Sequence, residues 1–389
     1  MLERSDWQRV RFGDVVRQVK ATIEPDKTEL RRYVAGEHMD TDRLHLKRWG
    51  SVDDGYLGPA FHRHFRPGQV LYGSRRTYLR KVAFADFEGV CANTTFVAEP
   101  QDPELLIPRF LPLIMSAEPF HRHSVSQSKG SVNPYVNWSD LAWYEFDLPP
   151  VHVQERIADL VWDAETVIEA NRHVTKQARQ TEIATLRDTY DTSSWPRRKV
   201  SEVGDVQLGL KREPKVHSGA HPRPYLRVAN VGDDELFLND VLSMNFKEKD
   251  FERYRLRSGD ILLNEGQSLE LVGRCTMYRD EIPGCCFQMT LLRFRCGPEV
   301  LPEFAYGWFR RCFYLGMFSR VAARTTSMAH LTARIFSGLD IPVPTLDVQR
   351  EVVERIEAAR ILRRRLEGHE NVTRQLRPQL LNYLLAERP

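Results

Sequence analysis

The second half of this 389-residue chain repeats its first half, and a duplication constrains the architecture before any single residue is interpreted. The first half closes on Phe146-Asp-Leu-Pro149-Pro150-Val-His-Val153-Gln154-Glu-Arg-Ile157, the second on Ile341-Pro-Val-Pro344-Thr-Leu-Asp-Val348-Gln349-Arg-Glu-Val352. Pro149 and Pro344 stand 195 positions apart, as do Gln154 and Gln349. Earlier, Arg66-Pro-Gly68-Gln-Val-Leu71 matches Arg257-Ser-Gly259-Asp-Ile-Leu262, and Phe12-Gly13-Asp14-Val15 matches Val203-Gly204-Asp205-Val206, both at a spacing of 191. The drift between the two spacings places small loop insertions inside otherwise equivalent domains. Between the anchors the halves diverge, as Tyr72-Gly-Ser-Arg75-Arg76-Thr-Tyr78 beside Leu263-Asn264-Glu-Gly-Gln267-Ser-Leu shows. A shared frame with divergent loops is what two readers of different targets require.

Each half ends in a helical pattern. Ile157, Leu160, Ala164, Ile168, Asn171, Val174, Ala178 and Leu186 recur at steps near three and four, and Val352, Ile356, Ala359, Leu362, Leu366, Thr373, Leu376 and Leu380 do the same. Helices that lie on separate globular cores usually carry a wider apolar stripe, so these narrow seams predict mutual packing of residues 152–190 against 346–386 as an antiparallel pair. Pro378 should kink or end the second helix, because it lacks a donor and clashes with the preceding turn. Ahead of each helix, short apolar runs at 69–72, 82–84, 261–263 and 290–294 read as strands, and 108–116 and 302–318 read as helices entered through a proline. The expected fold class is α+β: two pseudo-repeated domains over 1–150 and 195–345, followed by a central spacer helix over 151–194 and a C-terminal one over 346–389, the two packing as an antiparallel coiled coil.

With 42% hydrophobic residues, the chain can build two or three cores. No apolar run approaches the roughly 18 to 20 residues of a membrane helix, and the charged opening Met1-Leu2-Glu3-Arg4-Ser5-Asp6 has no signal-peptide core, so a cytoplasmic protein is expected. A net charge of +3 is too small for a protein that coats DNA nonspecifically, and leaves a locally basic face open. Cys91, Cys275, Cys285, Cys286, Cys296 and Cys312 form no CxxC pair and read as buried free thiols. His62/His64 and His121/His123 lack an adjacent third ligand, so no metal site is expected.

The Leu148-Pro149-Pro150-x3-Gln154-Glu-Arg-Ile157 junction, its copy at Val343-Pro344-x4-Gln349, and Gly-Asp-Ile-Leu at 259–262 together resemble the specificity subunits of type I restriction-modification systems. Tyr225-Leu-Arg227-Val-Ala-Asn230-Val looks like the early strand of their target-recognition domains, with Tyr33-Val34 at its place in the first half. The resemblance covers essentially the whole chain. It departs at Gln69, where an acidic residue is usual, and at Arg350, where Glu is expected. It implies a non-catalytic subunit that binds double-stranded DNA at a bipartite site and two copies of a methyltransferase subunit, with a motor-nuclease subunit as a further partner. S-adenosylmethionine, Mg and ATP would then be bound by the partners and none by this chain.

Enzymatic machinery is not legible. No Gly-x4-Gly-Lys-Ser/Thr loop exists, and Asn133-Pro134-Tyr135 lacks one proline of the amino-methyltransferase loop and follows no cofactor glycine motif. Pro25-Asp26 and Glu213-Pro214-Lys215, the fragments of a split nuclease site, lie in different halves. DNA binding needs cations for phosphates and planar hydrogen-bonding groups for base edges. Arg75, Arg76, Tyr78 and Arg80 supply such a cluster in the first half, and Lys211, Arg212, Arg223 and Arg227 in the second. Lys129 near Ser131 and Arg324 near Thr326 are equivalent at the 195 spacing and suit a shared phosphate contact. Asn264 and Gln267 are candidate readers of adenine, whose edge both donates and accepts. The competing reading is a non-catalytic coiled-coil scaffold without direct DNA recognition, which accounts for the helices and leaves the divergent basic loops unexplained.

Overall fold

The computed structural model describes residues 4–24, 29–55, 57–191, 195–211, 219–326 and 328–385. It is a mixed helix and sheet fold in two compact units: Met1–His173 with Gly368–Pro389, and Val174–Glu367. In the first unit, Gln8–Arg11 pairs antiparallel with Glu145–Leu148, the strand that leads into the Pro149-Pro150 junction. A four-stranded sheet runs in the order Val16–Val19, Thr95–Pro100, Val70–Gly73, Val82–Phe84. A second runs Gly50–Ser51, Arg32–Val34, Gly89–Ala92, Phe61–Phe65, with Arg32–Val34 parallel to Gly89–Ala92.

The second unit repeats this topology. Arg197–Lys199 pairs with Asp340–Pro342, and the order Gly204–Leu208, Leu291–Cys296, Ile261–Asn264, Cys275–Met277 reproduces the first four-stranded sheet. Pro222–Leu226 pairs parallel with Cys286–Phe287, Tyr225 opposite Cys286, just as Tyr33 lies opposite Val90. Tyr33-Val34 and Tyr225-Leu226 therefore occupy one place in the duplicated fold.

Two of the repeated motifs have direct physical roles. Gln154 and Gln349 are fully buried. The Gln154 amide donates to the carbonyls of Leu105 and Pro149, both at 2.8 Å, and accepts from the Ile107 N–H at 3.0 Å. Gln349 donates to Glu299 and Pro344, both at 2.9 Å, and accepts from Leu301 at 2.8 Å. A carboxamide alone supplies both roles in one planar group, so no carboxylate or amine could replace it there. Gly68 and Gly259 both sit at φ +87°, a turn that disfavours any side chain. The unusual Gln69 keeps this turn: its Oε1 accepts from the Arg66 N–H at 2.8 Å, as Asp260 accepts from Arg257 at 2.8 Å. Its other end donates to Glu99 at 2.6 Å, where Asp260 instead takes Arg295 at 2.7 and 2.6 Å.

The helices depart from the expectations in detail. The segment at 108–116 becomes helical at Leu111, with Pro112 in its first turn. The segment at 302–318 breaks at Gly316, in the left-handed region, between Pro302–Tyr314 and Met317–Val321. The central helix spans Val151–Asp191, and the second long helix runs Leu346–Arg374 before a break at Gln375 and a further helix Leu376–Leu385. Pro378 accounts for the break, since it cannot donate to the carbonyl of Arg374.

The apolar seam read from the sequence is corrected in part. Ile157, Ile168, Leu186, Val352 and Ile356 are buried, but Leu160, Val174, Leu362 and Leu376 are 48%, 43%, 54% and 38% exposed, and buried charged residues take inner positions beside them. In the first unit, Glu165 receives Arg377 at 2.9 Å and the Asn171 amide donates to Thr373 at 3.2 Å. In the second, Thr175 donates to the Leu366 carbonyl at 3.4 Å, and Glu182 takes Arg363 at 2.6 Å and Arg310 at 2.7 Å. Partner numbers fall as central-helix numbers rise, so within each unit the contact is antiparallel. Trp162, Ile157 and Leu186 supply the apolar anchoring at the buried ends.

Asp234, also buried, extends the second cluster by accepting from Arg360 at 2.9 Å, Arg363 at 2.5 Å and the Tyr306 hydroxyl at 2.6 Å. Burial pushes its carboxyl up, but Arg310, Arg360 and the Tyr306 hydroxyl outweigh that and hold it below the ordinary aspartate range. Its share of stability is then full above the unfolded value near 3.9 and is lost as pH falls through the lowered folded value, so Asp234→Asn should flatten the stability curve below about pH 4. Glu182→Ala should cost about 3–5 kcal/mol in chemical denaturation, because it strands buried arginines. Leu362→Ser should stay within about 0.5 kcal/mol.

Candidate nucleic-acid interface

In the first unit the strand Val70–Gly73 leads out through Ser74 into a small three-segment ribbon. Ser74 fixes the exit by donating from Oγ to the Thr94 carbonyl at 2.7 Å, while its own carbonyl accepts from Val136 at 3.0 Å. Arg75 then lies opposite Tyr135, and Tyr135 opposite Lys129, through reciprocal backbone bonds of 2.8 and 2.9 Å between the last two. Residues opposite one another across adjacent segments share a face. The ribbon thus gathers Arg75, Tyr135 and Lys129 from three stretches of sequence. Arg76, in the left-handed region at φ +50°, and Tyr78, 52% exposed, stand beside it, as does the exposed Ser131. Lys129 donates to both oxygens of Asp140 at 3.1 and 2.8 Å, and that hydrogen bond holds the Asp140 carboxyl below its ordinary value.

Arg80 is not part of this outward cluster. Its guanidinium turns inward to Asp42 and Glu118, both at 2.7 Å, and to the Ser116 carbonyl at 3.1 Å. Its positive charge is matched by two carboxylates, so its role in the structure is to fix the chain that follows Tyr78.

The second unit builds the same ribbon. Gly266–Gln267 pairs with Ala329–His330, and that with Ala323–Arg324, so Gln267, Ala329 and Arg324 are in register. Arg324 and Thr326 are exposed, and Gln267 is half-buried with its Oε1 accepting from Ser268 at 3.1 Å. Asn264, one turn earlier, is fully buried at the end of its strand, with neither side-chain amide atom bonded within the protein. A base edge cannot reach it there. The Arg223 guanidinium lies 4.3 Å from the Phe251 ring, and Arg227 pairs with Asp240. Both sit around Pro222–Leu226 rather than on the ribbon. Lys211 is exposed, and Arg212 falls outside the described residues, as do Pro25-Asp26 and Glu213-Pro214-Lys215.

Sequence reasoning missed Tyr135, because it sits in a motif read for catalysis. Asn133-Pro134-Tyr135 serves the ribbon instead: the Pro134 carbonyl accepts from Arg76 at 2.6 Å. It also missed His330, which joins Glu265 at 3.3 Å. The offset between Lys129 and Arg324 was the signal that could have led to both.

The cysteines are free, and burial pushes the Cys91, Cys285, Cys286, Cys296 and Cys312 thiols up to about 12, so they carry no thiolate nucleophile near neutral pH. His64 is bonded to Glu88 at 2.7 Å and His123 to the Asp140 carbonyl at 2.8 Å. Among the described residues, no group of three His, Cys, Asp or Glu is arranged to hold a metal ion, and no helix is long and apolar enough to cross a membrane.

The structure so far defines a class: a duplicated chain of two mixed helix and sheet units, each carrying a surface ribbon and a share of two long helices. No protein-family model matches it. In sequence it is similar to the type I restriction enzyme EcoKI specificity subunit of Escherichia coli, 23% identical over 159 residues, and to a Methanocaldococcus jannaschii protein assigned as the MjaX specificity subunit, 24% identical over 136 residues. These stretches take in 40% and 34% of this chain and 34% and 31% of the relatives, about a third of their length. In fold it is similar to the S subunit of the type I restriction-modification system from M. genitalium, with a TM-score of 0.59 at 13% identity over 100% of this chain and 99% of that one. A chain solved in work on complex assembly and conformational transition of the type I system gives 0.57 at 18% identity, covering 97% of each. The chain is thus similar to specificity subunits of type I restriction-modification systems, in sequence over about two fifths of its length or less and in fold over nearly all of it.

The burial of Asn264 generates a test. Asn264→Leu, which removes two buried amide atoms that have no partner within the protein, should raise the midpoint of thermal unfolding; a lowered midpoint would show that the amide is satisfied in solution.

Proposed function

We propose that this chain is a non-catalytic DNA-specificity subunit whose two units each read one half of a bipartite double-stranded target. The observation that carries this reading is the repeated ribbon: its backbone pairing recurs, with Gly266, His330 and Ala323 standing where Arg75, Tyr135 and Lys129 stand. The polar side chains differ, Arg75, Tyr135 and Lys129 sharing one face in the first copy and Gln267 and Arg324 lying one register position away in the second. The guanidinium and ammonium groups suit phosphates, and the planar amide and guanidinium groups suit base edges. Asp140 competes for Lys129 in the free protein, so a phosphate must displace a carboxylate there. Methyl transfer and cleavage, with S-adenosylmethionine, Mg and ATP, belong to partner subunits, and the long helices set the unread gap.

The helices also favour partner docking. In the first unit Leu160 and Val167 are exposed seven residues apart on one helix, and Leu376 and Tyr383 seven apart on another; in the second, Val174, Ile361 and Leu362 are exposed. A heptad repeat left outside a helix pair is the pattern by which a further helix packs. The occupant we assign is a helix of a methyltransferase subunit, one copy for each half of the duplicated chain, with a motor-nuclease subunit joining the same assembly.

A scaffold without DNA recognition would bind duplex weakly and without a bipartite preference. The purified chain should instead select a split target, with affinity falling steeply as salt rises, and show no methyl transfer by itself. Lys129→Ala or Arg324→Ala should weaken binding to all sequences and flatten the salt slope by about one unit per lost contact; an unchanged slope removes that residue from the phosphate contacts. Val167→Glu with Tyr383→Glu should abolish co-purification with the methyltransferase and leave DNA binding and the melting midpoint intact. Retained co-purification would send the partner elsewhere.

A further inference from the structure

The loop that follows Pro222–Leu226 is wired to itself before it reaches the helices. Asn230, buried, accepts from the Arg227 N–H at 3.0 Å and donates to the carbonyls of Phe237 at 2.8 Å and Asp240 at 3.0 Å. Gly232 donates to the Glu235 carbonyl at 2.9 Å. The turn so formed holds Asp234 at φ +63°, a conformation rare for residues other than glycine, and drives its carboxylate onto the long helices. There Arg360 Nε reaches both its oxygens at 2.9 Å, Arg363 reaches one at 2.5 Å, and Arg363 in turn holds Glu182 of the central helix at 2.6 Å. Tyr306 adds its hydroxyl at 2.6 Å. Every member of this chain is buried.

The first unit has the same device in a looser form. Asp42 also lies in the left-handed region, at φ +51°, and stands 192 positions before Asp234. It is bonded to Arg80 at 2.7 Å, but its link to the helix is an ion pair with Arg377 at 3.6 Å. Beside it opens a cavity of about 490 Å³ lined by Asp42, Glu165, Arg172, Arg374 and Arg377 among others, and Glu165 Oε2 has no partner within the protein. A buried carboxylate held by two arginines and a tyrosine hydroxyl resists rotation of the loop, whereas a single ion pair at 3.6 Å beside open space does not.

We propose that Asp234 is a positioning residue for target spacing: its clamp on Arg360 and Arg363 fixes the loop after Pro222–Leu226, and with it the second unit's sheets and ribbon, at one angle to that unit's own stretches of the long helices, and thereby restricts the gap between the two half-targets to one length. The inference rests on the bipartite reading above. It does not concern which bases are read, since Asp234 faces the helices and not the ribbon.

The test uses the full chain with its methyltransferase partner and a library of duplexes random in sequence, read by methylation-site mapping and by binding selection. The wild-type protein first defines its own half-sites and gap; if it selects no split target, the bipartite reading itself fails. Given a split target, Asp234→Asn should keep both half-site sequences and lose about tenfold in discrimination against targets whose gap is one base pair longer or shorter. Arg360→Lys, which keeps the charge but lacks the separate nitrogens that hold Asp234 and Glu357 in fixed directions, should do the same and gives the answer if Asp234→Asn fails to fold. Asp42→Asn should change gap discrimination less than either. If folded variants bind all gaps more weakly in equal proportion, or keep the wild-type discrimination, Asp234 is a stabilising residue alone and the proposal is overturned.

Discussion

A charge taken out of water must meet an opposite charge with good geometry, or it costs several kcal/mol. That requirement organises this protein around Glu165, Glu182 and Asp234 on one side and Arg310, Arg360, Arg363 and Arg377 on the other. The central helix contributes only acids to these buried pairs and the C-terminal helices only arginines. The polarity selects the partner: a central helix set against its own kind would face Glu with Glu, and the C-terminal helices Arg with Arg. Apolar seams tolerate such alternatives, because hydrophobic contact has no sign or direction. The buried ion pairs therefore specify which helix meets which and in what direction.

From that frame the duplicated units differ where difference is cheap. Gln154 and Gln349 keep identical three-bond patterns, since each satisfies two carbonyls and one N–H that burial would otherwise leave unpaired. Gly68 and Gly259 keep the same left-handed turn. Gln69 with Glu99 and Asp260 with Arg295 show a compensated exchange: the turn still has its acceptor, and the sign on the neighbouring strand has changed to suit. The ribbons lie beyond these fixed points. Their backbone pairing is repeated, so their side chains can vary without disturbing the core.

Much of this was legible in the sequence where a residue's own chemistry left one solution. The Pro-x4-Gln spacing, the proline break near residue 378 and the short apolar strands all report local constraints of hydrogen bonding or backbone torsion, and the structure places them where the sequence did. The equivalence of Lys129 and Arg324 is off by one position: Lys129 pairs with Tyr135, whereas the counterpart of Tyr135, His330, pairs with Ala323, and counting along the chain does not show such a slip of register.

The duplication, the mixed fold class and the two long helices were determined by the sequence alone, for periodicity and repetition are properties of order along the chain. Which face of each helix turns inward was decided by the tertiary structure. The heptads of Leu160 and Leu362 read as a seam, yet Glu182 and Arg363 are inside, because one arginine from the second helix and one from Pro302–Tyr314 meet the glutamate from two directions and no one-dimensional pattern records that meeting. The same holds at the surface. Arg80 and Asn264 look like their neighbours in sequence, but one is drawn inward by Asp42 and Glu118 and the other is closed over by its own sheet, while Tyr135 is brought out beside Arg75 from sixty residues away. Accessibility depends on what other segments cover, and that is settled only when the whole chain has packed.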